Sequence, residues 1–197
     1  GAMRRGFKTA APVPADKILH FVQVFERDPH PRKVNLTVGA YRDEQGKPWV
    51  LPCVRQALEE LRHSFISEYI PIPGDPAFID SSLRLAYGVE GGKLAGVFPR
   101  EEVAAVQSLS GTGAIFLALS FLAAYHPARA IYLPVPSWPI YNTILARAGF
   151  ELRPVQYYDE QKHVWNFDDF AERLERIPTE SVVVLQVSGY NPTGTDP

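Results

Sequence analysis

From Val103 to Val187 the chain alternates short apolar runs with longer segments whose apolar residues recur every three or four positions. Val103 to Leu109, Ala130 to Leu133, Leu152 to Gln156 and Val182 to Val187 read as strands. Between them, Ala114 to Tyr125, Pro139 to Ala148 and a segment opened by Asn166 read as helices. Such alternation predicts an α/β fold: a mostly parallel sheet with helices on both faces. Val182 to Val187 is continuously β-branched and apolar, as expected of a strand covered on both sides. Ala114 to Tyr125 is apolar on nearly every face and is expected to be a buried helix. Gly149 fits a helix stop, and Asn166 fits a cap followed by Asp168 and Asp169 in the first turn. In open parallel sheets, ligands bind beyond the carboxyl ends of the strands, so the loops there are where function is expected.

Ahead of this region the pattern is looser. Gly1-Ala2-Met3 reads as a remnant of tag removal. Pro12, Pro14, Pro29 and Pro31 flank a predicted helix from Ala15 to Arg27, and Val34 to Thr37 reads as an edge strand ending at Gly39. Leu51, Val54, Leu58, Leu61 and Phe65 predict an amphipathic helix. A proline-rich turn from Pro71 to Pro76 leads to a helix over Ala77 to Tyr87 and a loop over Gly88 to Gly96.

Charge and composition narrow the partners. The 20 basic and 22 acidic residues form no block of one sign, which argues against nucleic acid or an anionic membrane. No apolar run approaches the ~20 residues of a membrane-spanning helix. The single cysteine, Cys53, excludes an intrachain disulfide framework, suits a reducing, cytoplasmic compartment and is expected to be a small buried hydrophobe. Arg4, Arg5 and Lys8 admit either a solvated terminus or the remnant of an organelle presequence, which would make the location mitochondrial. The five histidines show no metal-ligand spacing, so no metal is expected.

Three loops fall at predicted strand ends. Ser110-Gly111-Thr112-Gly113 offers a tight turn, hydroxyl donors and helix-start amides, which suit a phosphate or carboxylate; it also fits a plain strand-to-helix turn. A dinucleotide fingerprint fails there, because its sixth position, counted from Gly111, holds Phe116 and the next strand ends Leu133-Pro134-Val135 with no acid. No Gly-Lys-Ser/Thr is present for a nucleotide hydrolase, and no Gly-x-Ser-x-Gly for a serine hydrolase. The second loop, Pro136-Ser137-Trp138-Pro139, carries an indole that can stack on a flat ring, although tryptophan is more often core or interface. The third, Gly189-Tyr190-Asn191-Pro192-Thr193-Gly194, places a carboxamide donor and acceptor after a buried strand.

These loops, in this order, resemble those of the fold-type I pyridoxal-phosphate aminotransferases, and in particular the aspartate aminotransferases of eukaryotic and enterobacterial type. The resemblance extends over Asp28 to Arg42, Lys47 to Pro52, Glu68 to Ile72, Gln107 to Ala114 and Asn191 to Pro197. It implies an N-terminal arm and small-domain segment over 4–50 and the front of a large cofactor-binding domain over 51–197. Ser110, Gly111 and Thr112 would hold the cofactor phosphate. Trp138 would stack on the pyridine ring, and Asn191 would bond its phenolic oxygen and contact the substrate carboxylate. Gly39 would lie in the segment that closes over substrate. Tyr69 would reach the neighbouring subunit's phosphate, so a homodimer is implied, with the arm Phe7 to Pro14 lying across the partner.

The reaction implied moves an amino group between aspartate or glutamate and 2-oxo acids. None of Lys8, Lys17, Lys33, Lys47, Lys93 and Lys162 matches the context of the family's Schiff-base lysine, which the resemblance places C-terminal to Pro197. The chain as written is therefore expected to be the front half of an enzyme and not to transaminate by the family mechanism. Tyr141, Tyr190 and Gln186 stand where the aspartate enzymes usually carry histidines. Two added phenols leave room for a broad-specificity or aromatic amino-acid aminotransferase, and a non-catalytic binding or assembly module is the remaining alternative.

Overall fold

The computed structural model describes residues 17–64, 67–87 and 102–196, the side chains of 17–19 excepted. The expected arm over Phe7 to Pro14 and the Gly88 to Gly96 loop lie outside the described residues. The chain divides into two compact units, Gly1–Glu68 and Tyr69–Pro197.

In the first unit, α1 (Lys17–Arg27) ends where the Lys33 ammonium donates to the carbonyls of Phe25 at 2.8 Å and Asp28 at 2.9 Å. A cation at that end satisfies carbonyls that the helix leaves unpaired and complements its dipole. Val34 to Thr37, expected as an edge strand, forms no ladder. Asn35 Oδ1 accepts from both the Thr37 backbone N–H at 3.0 Å and the Thr37 hydroxyl, so a local turn replaces strand pairing. The single backbone bridge in this stretch joins Arg42 to Pro48 across a turn held by Asp43 and Gly46. Helix α2 (Pro52–Leu61) starts with proline at its first position, as its fixed φ favours, and buries none of its residues. Cys53 is therefore exposed, contrary to the expected buried hydrophobe.

The second unit opens with α3 (Pro76–Tyr87), capped by Asp75, whose Oδ1 accepts from the Ala77 and Phe78 amides at 2.8 and 3.0 Å. Helix α4 (Ser110–Tyr125) starts four residues earlier than expected, so Ser110 to Gly113 is its first turn and not a separate loop. Then come β1 (Ala130–Val135), α5 (Ile140–Ala148), β2 (Glu151–Gln156) and a short hairpin of β3 (Tyr158–Asp159) with β4 (Val164–Trp165). Helix α6 (Phe167–Glu175) and β5 (Val182–Val183) complete the unit. Gly149 ends α5 with φ 83°, the left-handed stop its position suggested. Asn166 occupies the cap position of α6, but its side chain makes no capping bond.

Strand β1 lies between β2 and β5, parallel to both, with Ala130 opposite Glu151 and Ile131 opposite Val182. Edge placement of β2 accommodates Pro154, which lacks a ladder donor. Side-chain alternation divides two cores across this sheet. Ile131, Leu133, Leu152, Val182 and Val184 face α4 and α5, where Leu119, Tyr141, Ile144, Leu145 and Phe150 pack. Tyr132, Val155 and Tyr157 face the other way, onto Phe170 of α6, Trp165 and Tyr190. Helices thus cover both faces, as expected.

Two strand expectations are corrected. Val103 to Leu109 joins no ladder among the described residues; one backbone tie is the Gln107 N–H donating to the Pro73 carbonyl at 2.8 Å. Val182 to Val187 pairs only over Val182–Val183, extended by the Val184 N–H to the Tyr132 carbonyl at 3.0 Å, and Leu185 and Val187 are exposed. The all-round apolar α4 is likewise not fully buried: Leu119 alone of its residues is.

Candidate functional site

Position along the sheet places two of the corners at one edge. Because β1 and β5 are parallel neighbours, the loops following them, which carry Trp138 and Asn191, leave from the same edge. A direct bond confirms it: the Tyr190 hydroxyl donates to the Pro134 carbonyl, near the end of β1, at 3.0 Å. Helix α4 ends at Tyr125 and only Pro127–Arg129 separate His126 from the start of β1. Ile115, Leu119 and Leu122 pack in the core shared with Ile131 and Leu133 of β1, and the helix is about 24 Å long. Ser110 is at its far end from that connection.

The Ser110 corner is open and donor-rich. Ser110, Gly111 and Thr112 are exposed, and no side chain caps the first turn of α4. The amides at the start of a helix have no intrahelical acceptor, and here none is taken by a cap. Ser110 sits at φ 57°, in the left-handed region, and a Cβ at Gly111 would meet only open space. Donors facing solvent with the positive end of a dipole behind them suit an anion such as a phosphate. The approach is fixed from the other side by Gln107, whose Oε1 accepts from the Asp75 amide at 2.9 Å. Gly74, at φ 116°, has no room for a Cβ against Gln107.

Trp138 is half-buried and its ring meets Tyr141 edge-on, centroids 5.9 Å apart and planes at 85°. The contact leaves the indole partly exposed with its pitch set by a buried phenol. Burial raises the pKa of Tyr141, so it stays protonated.

Asn191 is exposed, and its carboxamide has no hydrogen-bond partner among the described residues. Its backbone is firmly held. Tyr190, beside it, is fully buried, and burial reinforced by Tyr157 and Tyr141 raises its pKa well above the usual phenol value. Tyr157 bonds Thr193 hydroxyl-to-hydroxyl at 2.7 Å, and the Gly194 N–H donates to the Tyr190 carbonyl at 2.6 Å. The peptide bonds Val135–Pro136 and Asn191–Pro192 are both cis.

Two expected residues remain. Tyr69 is 98% exposed, at the start of the second unit. Gly39 belongs to the first unit, where a Cβ added to it would meet nothing within 4 Å. A cleft of about 370 Å³ between Arg129, Glu151, Arg153 and Glu180 does not coincide with the site; it lies at the amino ends of β1 and β2. Arg153 is engaged there with Glu151 at 3.3 Å and the Tyr132 hydroxyl at 3.2 Å, so its guanidinium is already partnered. The supports contributed by Gln107, Tyr157 and Gln186 were not evident from sequence, since their partners lie in separate segments or across a turn. Their only signal is polar side chains flanking the glycine-rich corners.

Residues 31–197 match the sequence profile described as aminotransferase class I and II. The chain is 38% identical over its whole length to the mitochondrial aspartate aminotransferase of Arabidopsis thaliana, of which it covers 45%. Over 97% of its length it is 38% identical to the cytoplasmic aspartate aminotransferase of Oryza sativa, covering 46% of that protein. Among solved structures, it is similar to an aromatic-amino-acid aminotransferase from Burkholderia pseudomallei covalently bound to pyridoxal phosphate. There the TM-score is 0.86 at 33% identity, covering 96% of this chain and 47% of that one. The chain thus spans less than half the length of the relatives it matches.

Proposed function

Because this chain belongs to the class I and II aminotransferases, with their fold-type I architecture, we propose that it supplies the cofactor cup and ring contacts of a pyridoxal-phosphate aminotransferase acting on aspartate or glutamate and their 2-oxo acids. The observation that carries the reading is the shared carboxyl edge of β1 and β5, from which Trp138 and Asn191 project on tied loops. The residues present fit the group. Uncapped amides and the hydroxyls of Ser110 and Thr112 suit its phosphate, with Gly111 leaving space for close approach. A partly exposed indole suits its ring, and a carboxamide without a partner suits its phenolic oxygen and a substrate carboxylate.

When bound, the cofactor supplies an electron-withdrawing ring that makes the α-proton of an amino acid acidic. This chain's contribution is positional. The α4 amides and hydroxyls would hold its phosphate, Trp138 would stack on its ring, and Asn191 would bond its phenolic oxygen. Tyr69 serves the phosphate of a second subunit and Gly39 the segment that closes over substrate, which makes the active form a homodimer. Relatives from both cytoplasm and mitochondria fit either compartment.

Titration of the protein with pyridoxal phosphate, followed by visible circular dichroism, tests the site. Ser110→Ala, Trp138→Ala and Asn191→Ala are each expected to weaken binding about tenfold or more, as loss of a charge-assisted bond or a stacked ring does. Unchanged binding in all three would overturn the assignment. A second reading, an aromatic-accepting enzyme, draws on the aromatic-amino-acid neighbour. Of the two phenols that suggested it, Tyr190 spends its hydroxyl on Pro134 within the core, and Tyr141 packs edge-on to Trp138. Measured in a chain extended to carry the family's Schiff-base lysine, amino transfer from aspartate faster than from tyrosine or phenylalanine supports the first reading; the reverse order supports the second.

A further inference from the structure

We infer that Gln186 is a positioning residue for Asn191: its carboxamide clamps both flanks of the turn that presents the asparagine. The inference rests on the reading of Asn191 as a cofactor contact. Gln186 Oε1 accepts from the Asn191 backbone N–H at 3.3 Å, while Gln186 Nε2 donates to the Gly189 carbonyl at 3.1 Å. The carboxamide offers a donor and an acceptor side by side, one for each flank. The turn requires such holds. Ser188 and Gly189 are consecutive left-handed residues at φ 59° and 57°, outside any helix or ladder, and both backbone groups of Gly189 are taken by side chains.

Gly189 is fixed from both directions, since its N–H donates to Asp196 Oδ2 at 2.8 Å while its carbonyl accepts from Gln186. On the next residue, the Tyr190 side chain is anchored on Pro134 at 3.0 Å. Asn191 is thereby fixed through its main chain, and its side chain keeps its full bonding capacity. Preorganising a contact residue lowers the ordering cost of binding, so loss of the clamp should appear as lost affinity for whatever Asn191 touches.

The test is a double-mutant cycle on the protein with pyridoxal phosphate as the probe, binding being read by visible circular dichroism. Amide exchange at Asn191 is followed on the same samples. Gln186→Leu, and the longer Gln186→Met as a packing control, should each weaken binding about fivefold to tenfold, the range expected for one or two neutral hydrogen bonds, and accelerate exchange of the Asn191 amide. In an Asn191→Ala background the same changes should weaken binding no further. A loss of equal size in that background would overturn the inference, because Gln186 would then act on the fold at large. So would unchanged binding in both Gln186 variants while Asn191→Ala weakens it. If Asn191→Ala itself leaves binding unchanged, the reading of Asn191 fails, and with it the need for any positioning residue.

Discussion

The two sides of the proposed cup are built in opposite ways. The Trp138 and Asn191 corners rest on closed structure: Tyr157, Tyr190, Ile131, Leu133 and Leu145 are each at most 1% exposed, and hydroxyl-to-carbonyl and hydroxyl-to-hydroxyl bonds tie the loops to β1 and β2. The Ser110 corner rests on a helix that is apolar all round yet buries one residue among those described. Phe121 is 62% exposed, and Leu109, just before the helix, is 89% exposed. A ring contact needs a fixed plane, which only packing supplies, whereas an anion cup needs backbone amides, which a helix start provides wherever it sits.

The sharpest way to break this contrast is to excavate the closed side. Leu145, 1% exposed at the centre of the α5 core, should cost about 2–5 kcal/mol when changed to alanine, measured by urea unfolding. The same variant should also loosen Trp138, which packs on that core, and so weaken pyridoxal-phosphate binding. A loss under about 1 kcal/mol would mean that the closed side is no better packed than the open one.

The segment leading into α4 is tied to the turn before α3, and Gly74→Ala attacks that tie. Alanine there would be forced into φ 116° and against Gln107, whose backbone and side chain hold the turn over Pro73 to Asp75. Left-handed strain alone costs about 1–3 kcal/mol, and the crowding adds to it. Hydrogen exchange should rise over 103–109 while amides of β1 stay protected. Equal acceleration in both would show that the two sides unfold as one.

How far sequence could foresee this contrast depends on whether the signal is local. The left-handed stop at Gly149 and the sheet with helices on both faces follow from periodicity and turn chemistry over a few residues. So does the placement of Ser110, Trp138 and Asn191 at element ends. The pairing of Val103 to Leu109 does not, because a strand needs a neighbour, and among the described residues this segment joins no ladder. The β3–β4 hairpin, two residues to a strand, carries no readable period at all. Tyr190 shows the same limit at the site: its residue type suggested a phenol lining the pocket, but its burial shows a pillar beneath the loop.

That pillar gives the next prediction. Tyr190→Phe removes the donor to Pro134 and should cost about 1–2 kcal/mol near neutral pH. Tyr141, Tyr157 and Tyr190 all have raised pKa values in the folded chain, chiefly through burial. Their stabilising effect is thus complete below the unfolded phenol value of about 10 and is lost as pH climbs from there toward the folded values. Urea midpoints should fall above about pH 10, and less steeply in Tyr190→Phe, which removes one of the three contributors. An identical alkaline slope in both proteins would show that Tyr190 ionises freely.

The smallest expected effect is the one that defines the open side. Phe121 lies on α4 with most of its surface exposed and touches the Tyr125 ring, centroids 4.9 Å apart. Changing an exposed residue away from caps, cores and strained positions usually alters stability by no more than about 0.5 kcal/mol. Phe121→Ser should therefore leave the unfolding midpoint nearly unchanged while lowering the binding of an apolar dye, since it interrupts the row formed with Leu117 and Tyr125. A loss of about 3 kcal/mol or more, the size of a buried phenylalanine's, would mean that this face is covered in solution. The Ser110 cup would then stand on packing as closed as that beneath Trp138, and the contrast between the two sides would disappear.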